Sequence, residues 1–192
     1  DVTSTYAETL GDAAESYLTS QSKYWTGNDI ELHSKCLIRS TPGESSGNTR
    51  FAYDDGKVYA DMHVIGSQTE VLMSVLPHET NHVIFAHIFP RQIPRWLDEG
   101  ASTLFERPQD QEIPASVLRQ IAGSSEWMPL SELMRYKEYP KDGRTLAIFY
   151  AEGYGFVDYL VSKYGPRKFI EYVRTGFNQG FESSLQTVYR LP

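Results

Sequence analysis

The 192-residue sequence holds a single cysteine, Cys36. A lone thiol can neither close an intrachain disulfide nor build a thiolate metal cluster, so cystine scaffolds and cysteine zinc sites are excluded. No apolar run approaches the ~20 residues of a bilayer-spanning helix. Basic residues are outnumbered: 18 Lys and Arg against 25 Asp and Glu give a formal net charge of −7. That balance argues against a nucleic-acid partner, whose phosphates need a basic surface. Repeats, low-complexity tracts and long charge runs are also missing. With Asp1 rather than Met in first place and no signal peptide, the expectation is a processed or excised chain; the compartment stays open, export from the cytoplasm being one reading.

What is present is ordinary for a globular domain: 40% hydrophobic and 22% charged residues, with 13 Tyr, 9 Phe and 3 Trp. The length fits one domain over 1–192. Tyr6, Leu10, Ala13, Ala14, Tyr17 and Leu18 recur at helical spacing and predict a helix from Thr3 to about Tyr24. Ile30, Leu32, Cys36 and Ile38 fall on even offsets and predict a strand over Asp29–Ile38. Ser40–Asn48 reads as a loop. Arg50–Tyr53 and Lys57–Ile65 read as strands joined at Asp54-Asp55-Gly56.

Beyond Ser67 the pattern turns helical. Ser67 and Glu70 have capping-box spacing, and the helix they open runs to about Phe89 with a kink expected at Pro77. Further helices are predicted from Pro94 through Phe105, and at Pro114–Ala122, Leu130–Tyr136, Thr145–Tyr164 and Pro166–Thr175. Sheet first and helices after is an α+β order, with a sheet-containing part at 1–66 and a helical part at 67–192.

Leu76-Pro77-His78-Glu79-Thr80-Asn81-His82 carries the chemistry. Helical residues four apart lie one turn from each other, about 40° around the axis, so His78 and His82 can address one ion. Zinc suits imidazole nitrogen and takes four ligands. Glu79 lies about 60° around from His82, within reach of a water on the metal without binding the metal. A catalytic site needs a third protein ligand and one open position. Pro94-Arg95-Trp96-Leu97-Asp98-Glu99-Gly100-Ala101 offers two acids, Asp98 and Glu99. Adjacent helical positions diverge by about 100°, so one of them faces the ion, and the apolar pattern does not choose between them.

HETNH followed by W-L-x-E-G resembles the gluzincins, the zinc peptidases whose third ligand is a glutamate on the next helix. The likeness is nearest to the peptidase MA-like and aminopeptidase group and spans about Leu76 to Phe105. It implies a zincin-like fold and one Zn²⁺ held by His78, His82 and Glu99. It further implies hydrolysis of a peptide or protein substrate by a zinc-bound water that Glu79 activates. Sixteen residues lie between His82 and Glu99, slightly fewer than in the aminopeptidases. Asp98 becomes a solvated or outer carboxylate, and Ser102 and Thr103 surface or packing hydroxyls. In the aminopeptidase branch a helical Y-x-x-G tyrosine donates to the oxyanion. Tyr150, with Gly153, matches it, and Tyr154 is the alternative.

His33, His63 and His87 have no ligand partner in spacing. The strand holding His63 precedes the zinc helix, where in gluzincins such a strand borders the cleft. That strand lacks the glycine-rich motif with which aminopeptidases hold a free amine. Arg91 and Arg95 could bind a substrate carboxylate bidentately, but such arginines more often pair with local acids such as Asp98 or Glu106. Two rival functions use the same residues: zinc hydrolysis of a non-peptide amide, and a non-catalytic zinc-containing binding module. Glu79 speaks against the second, since a structural site needs no base.

Overall fold

A computed structural model describes residues 2–191, with side chains from Ser4 to Leu191. The architecture is α+β, a small mixed sheet with a mostly helical remainder. The chain divides into two compact units. The first runs to Gln92 and takes in Phe105–Arg107; the second holds Ile93–Leu104 and the chain from Pro108 onward. Among the described residues no helix is long and apolar enough to cross a membrane.

In the first unit, helix α1 (Val2–Thr26) precedes strands β1 (Leu37–Thr41), β2 (Ser46–Asp54) and β3 (Lys57–Ile65). The strand order is β1-β3-β2, with β1 parallel and β2 antiparallel to β3. Asp55 and Gly56 close the β2–β3 hairpin with φ of 43° and 74°. Positive φ at both central residues is the two-residue turn that Asp-Gly favours.

The strand expected over Asp29–Ile38 is shorter and later, since pairing starts at Leu37 opposite Asp61. Upstream, the imidazole Nδ1 of His33 accepts the Val58 N–H at 3.1 Å, taking a donor that a longer β1 would have used. His33 therefore lies outside any strand. The predicted loop shrinks correspondingly, because Ser40 and Thr41 belong to β1 and Ser46–Asn48 to β2.

The capping box at Ser67 is present, with Glu70 N–H donating to Ser67 Oγ and Ser67 N–H to Glu70 Oε2. The helix it opens is continuous but not uniform. After α2 (Gln68–Glu70) comes one π-helical turn (Val71–Val75), and then α3 (Leu76–Ile88). Pro77 lies in the first turn of α3. A proline there lacks an N–H that would otherwise need a partner one turn back, and the wide turn ahead of it absorbs the fault as a π-bulge.

Helix α1 packs on α3 and the sheet through Leu10, with Ala13, Ala14 and Tyr17 beside it. The core they join contains Met62, Val64, Val71, Val75, Leu76 and Val83. Two side-chain bonds fix α1 against the α3 backbone and face: Gln21 Nε2 donates to Pro77 O at 2.9 Å, and Trp25 Nε1 to Asn81 Oδ1 at 2.7 Å.

The second unit contains α4 (Arg95–Thr103), α5 (Pro108–Ile121), α6 (Leu130–Leu133), α7 (Gly143–Tyr164), α8 (Pro166–Gln179), α9 (Phe181–Ser184) and a π-turn (Leu185–Tyr189). Helix α5 starts at Pro108, not Pro114. Pro108 suits a first helical position equally well, and Asp110 adds the first-turn acid that the positive helix end favours.

Helix α4 crosses α7 with backbones in contact. A Cβ on Gly153 would stand 2.6 Å from Trp96 O, and one on Gly100 would meet the Gly153 carbonyl oxygen. No larger residue fits either position, so both glycines set how near α4 lies to α7. Asp142 caps α7, accepting the N–H groups of Arg144 and Thr145.

Candidate metal centre

The first unit brings together His78, Glu79 and His82. One nitrogen or oxygen from each lies within 4.8 Å of the other two. The imidazole centroids are 4.9 Å apart with planes at 72°, two rings converging rather than stacking. Helix spacing alone sets the pair on one face; the neighbours then fix each group.

His78 is held from behind. Its Nδ1 lies 2.6 Å from Glu106 Oε1, both side chains being mostly buried. An Nδ1–H donated to a carboxylate leaves Nε2 as the lone-pair nitrogen, the arrangement that orients metal-binding histidines. Glu106, seven residues past Glu99 and just beyond α4, was not singled out by sequence. The sequence offers it only as a partner for Arg91 or Arg95.

Glu79 is 4% exposed. Thr49 Oγ1 on β2 donates to Glu79 Oε2 at 2.7 Å. Gly47, two residues earlier on β2, leaves the space the carboxylate fills: a Cβ there would lie 2.5 Å from Glu79 Oε1 and 2.8 Å from its Cγ. The strand against the candidate base is thus β2, at an edge of the sheet. β3 is paired on both sides, and its His63 bonds Thr41 Oγ1 through Nε2 at 2.9 Å as an ordinary strand residue. Thr49 and Gly47 gave no signal because they sit in a stretch that reads as loop and strand start.

The group could hold a metal ion, and its two imidazoles suit zinc. Two imidazoles and a carboxylate converge, one ring is anchored through its far nitrogen, and Gly47 gives the carboxylate room.

The second unit holds Glu99, 8% exposed on α4. Tyr139 donates its hydroxyl to Glu99 Oε1 in a short hydrogen bond. Burial, then the Glu99 carboxylate beside it, hold that phenol protonated far above the usual tyrosine range. Tyr150 stacks on Tyr139, with centroids 5.9 Å apart and planes at 20°. The expectation for Arg95 changes: its guanidinium lies 5.2 Å from the Tyr139 ring centroid rather than serving only a local acid. Asp98 is buried, not solvated. Thr103 bonds back to Glu99 O at 2.9 Å, and Ser102 is fully buried, so both are interior hydroxyls.

Two other groups are set apart by their environment. His87 donates its Nδ1–H to Val83 O at 2.8 Å, and its Nε2 accepts the His33 N–H at 3.4 Å. Burial lowers its pKa, with His33 adding repulsion. Burial, then Asp61, pushes the Cys36 thiol up to about 11, which makes it a poor nucleophile.

Comparison with protein-family models, with curated proteins and with solved structures gives no match to this chain.

Proposed function

We propose that the protein is a zinc-dependent metallopeptidase of gluzincin type with a zincin-like fold, in which His78, His82 and Glu99 hold one Zn²⁺. The observation that carries this reading is the convergence of His78, Glu79 and His82, with His78 Nδ1 at Glu106 and Glu79 at Thr49. A structural zinc site has no use for a hydroxyl that orients an adjacent carboxylate; hydrolysis does. The buried carboxylate Glu99, on the W-L-x-E-G helix, supplies the third ligand in this reading.

Zinc, when bound, would acidify a water and polarise the scissile carbonyl. Glu106, by accepting the Nδ1–H, holds His78 in the tautomer whose Nε2 carries the lone pair. Glu79 accepts the proton of the attacking water and delivers it to the leaving nitrogen. Thr49 keeps the Glu79 carboxylate in one rotamer, so little reorganisation is needed at the moment of transfer. Tyr150 donates to the oxyanion. The substrate is a peptide or protein, and β2, an edge strand that touches the base, is the strand best placed to meet it.

The test is incubation of the zinc-loaded protein with a diverse peptide mixture, cleavage being read by mass spectrometry, with Glu79→Gln in parallel. Cuts made by the wild type and absent from the variant support the peptidase reading and reveal its end preference. A protein that holds one zinc and cuts nothing moves the assignment to a non-peptide amide or to a binding role.

A further inference from the structure

A glutamate ligand has one more side-chain rotor to order than a histidine ligand. Its carboxylate sits on a flexible stem, and each rotor that must be frozen costs binding free energy. In the second unit Glu99 is met by a residue built to freeze it. Tyr139 comes from the irregular connection between α6 and α7, where a side chain is ordinarily free to move. Here three contacts pin the ring. Phe149, fully buried, meets it edge-on at 6.1 Å; Tyr150 stacks on it at 5.9 Å; and Arg95 lies over it at 5.2 Å. Arg95 is one turn before Glu99 on the same helix, so α4 grips both the ring and the carboxylate it serves. The hydroxyl donates to Glu99 Oε1.

We propose that Tyr139 is a positioning residue that holds the Glu99 carboxylate in its zinc-ligating orientation, an inference that rests on the metallopeptidase reading above. Its role is distinct from the oxyanion role given to Tyr150. Tyr139 acts through Glu99 and touches neither substrate nor reacting atoms. No spacing rule in the sequence points to it, since it lies 40 residues from its partner in a loop.

The test is zinc affinity by competition with a chromogenic chelator, for wild type, His82→Ala, Tyr139→Phe, Glu99→Gln and the Tyr139→Phe/Glu99→Gln double variant. The cobalt(II) absorption spectrum of each folded variant provides the readout of ligand geometry. Phenylalanine keeps the ring contacts, so the metal-free melting temperature reports whether the loop is intact. Loss of an outer partner weakens metal binding by about 10- to 100-fold. The expected result is that loss for Tyr139→Phe, a changed cobalt spectrum, and less than about threefold further effect in the Glu99→Gln background. Unchanged affinity and spectrum in Tyr139→Phe would overturn the role of Tyr139 while leaving the zinc site standing. So would an equal loss in both backgrounds, which marks a general structural effect. A wild type that binds no zinc, or binds it as well after His82→Ala, overturns both readings together.

Discussion

Replacing Gly100 by alanine tests the packing that carries Glu99. A Cβ at this position would lie 2.7 Å from the Gly153 carbonyl carbon and 2.9 Å from Val157 Cγ2, besides meeting the Gly153 oxygen. Carbon atoms pack best at about 3.5–4.0 Å, so α4 and α7 would have to part by roughly 1 Å. The obstacle is backbone on the facing helix, which cannot swing away like a side-chain end. Overpacking typically costs about 1–3 kcal/mol, and an obstacle made of backbone puts this site in the upper part, at about 2–3 kcal/mol. Alanine recovers about 1 kcal/mol of helix propensity, leaving a net loss of about 1–2 kcal/mol. For a chain of this size that lowers the melting temperature by roughly 2–8 °C. Gly11→Ala is the matched control, because Gly11 lies within α1 with nothing within 4 Å of an added Cβ. It should gain up to about 1 kcal/mol. Thermal unfolding followed by circular dichroism compares them. If Gly100→Ala melts at or above the wild-type temperature, the close helix crossing is not a constraint, and the account of the glycine in W-L-x-E-G fails.

Further outcomes follow from the same contacts. Glu79→Gln should lower kcat/KM on a cleaved peptide by at least about 100-fold with zinc content unchanged; near-normal turnover would remove Glu79 as the base. Thr49→Val takes away a hydrogen bond to a charged group and should lower kcat about tenfold with little change in KM, which steady-state kinetics would show or deny. Trp25→Phe deprives Asn81 Oδ1 of a buried donor and should cost about 1–3 kcal/mol in urea denaturation. The lowered pKa of His87 means the folded state excludes a proton that the unfolded chain binds near its ordinary value of about 6.5. Its contribution to stability is complete above that value and is lost as pH falls below it. His87→Gln should flatten the fall in melting temperature between about pH 7.5 and 5.5; an unaltered slope would place that sensitivity elsewhere.

Much of the fold could be read from local signals because those signals are strong. The Asp55-Gly56 turn, the Ser67 capping box and the helix up to Tyr164 each carry their own chemistry. The β1 boundary was not readable, because alternation at Ile30–Cys36 persists without a ladder, and a side chain, His33, answers the backbone donor. Proline at 77 promised a kink, yet only the three-dimensional chain reveals a π-turn ahead of it. The site divides the same way. His78, Glu79 and His82 are visible because helical spacing is itself geometry. Thr49, Glu106 and Tyr139 are partners 30, 28 and 40 residues distant in sequence, and their roles arise only when tertiary contacts bring them in.

The most direct measurement of the central claim is a crystal structure of the zinc-soaked protein with anomalous data collected at the zinc edge. One anomalous peak is expected about 2.0–2.2 Å from a nitrogen of His78, a nitrogen of His82 and an oxygen of Glu99, with Glu79 outside bonding distance. A peak bound by the two histidines with Asp98, or with Glu79, in place of Glu99 would contradict the ligand set. No peak at His78 and His82 would contradict the metal centre itself.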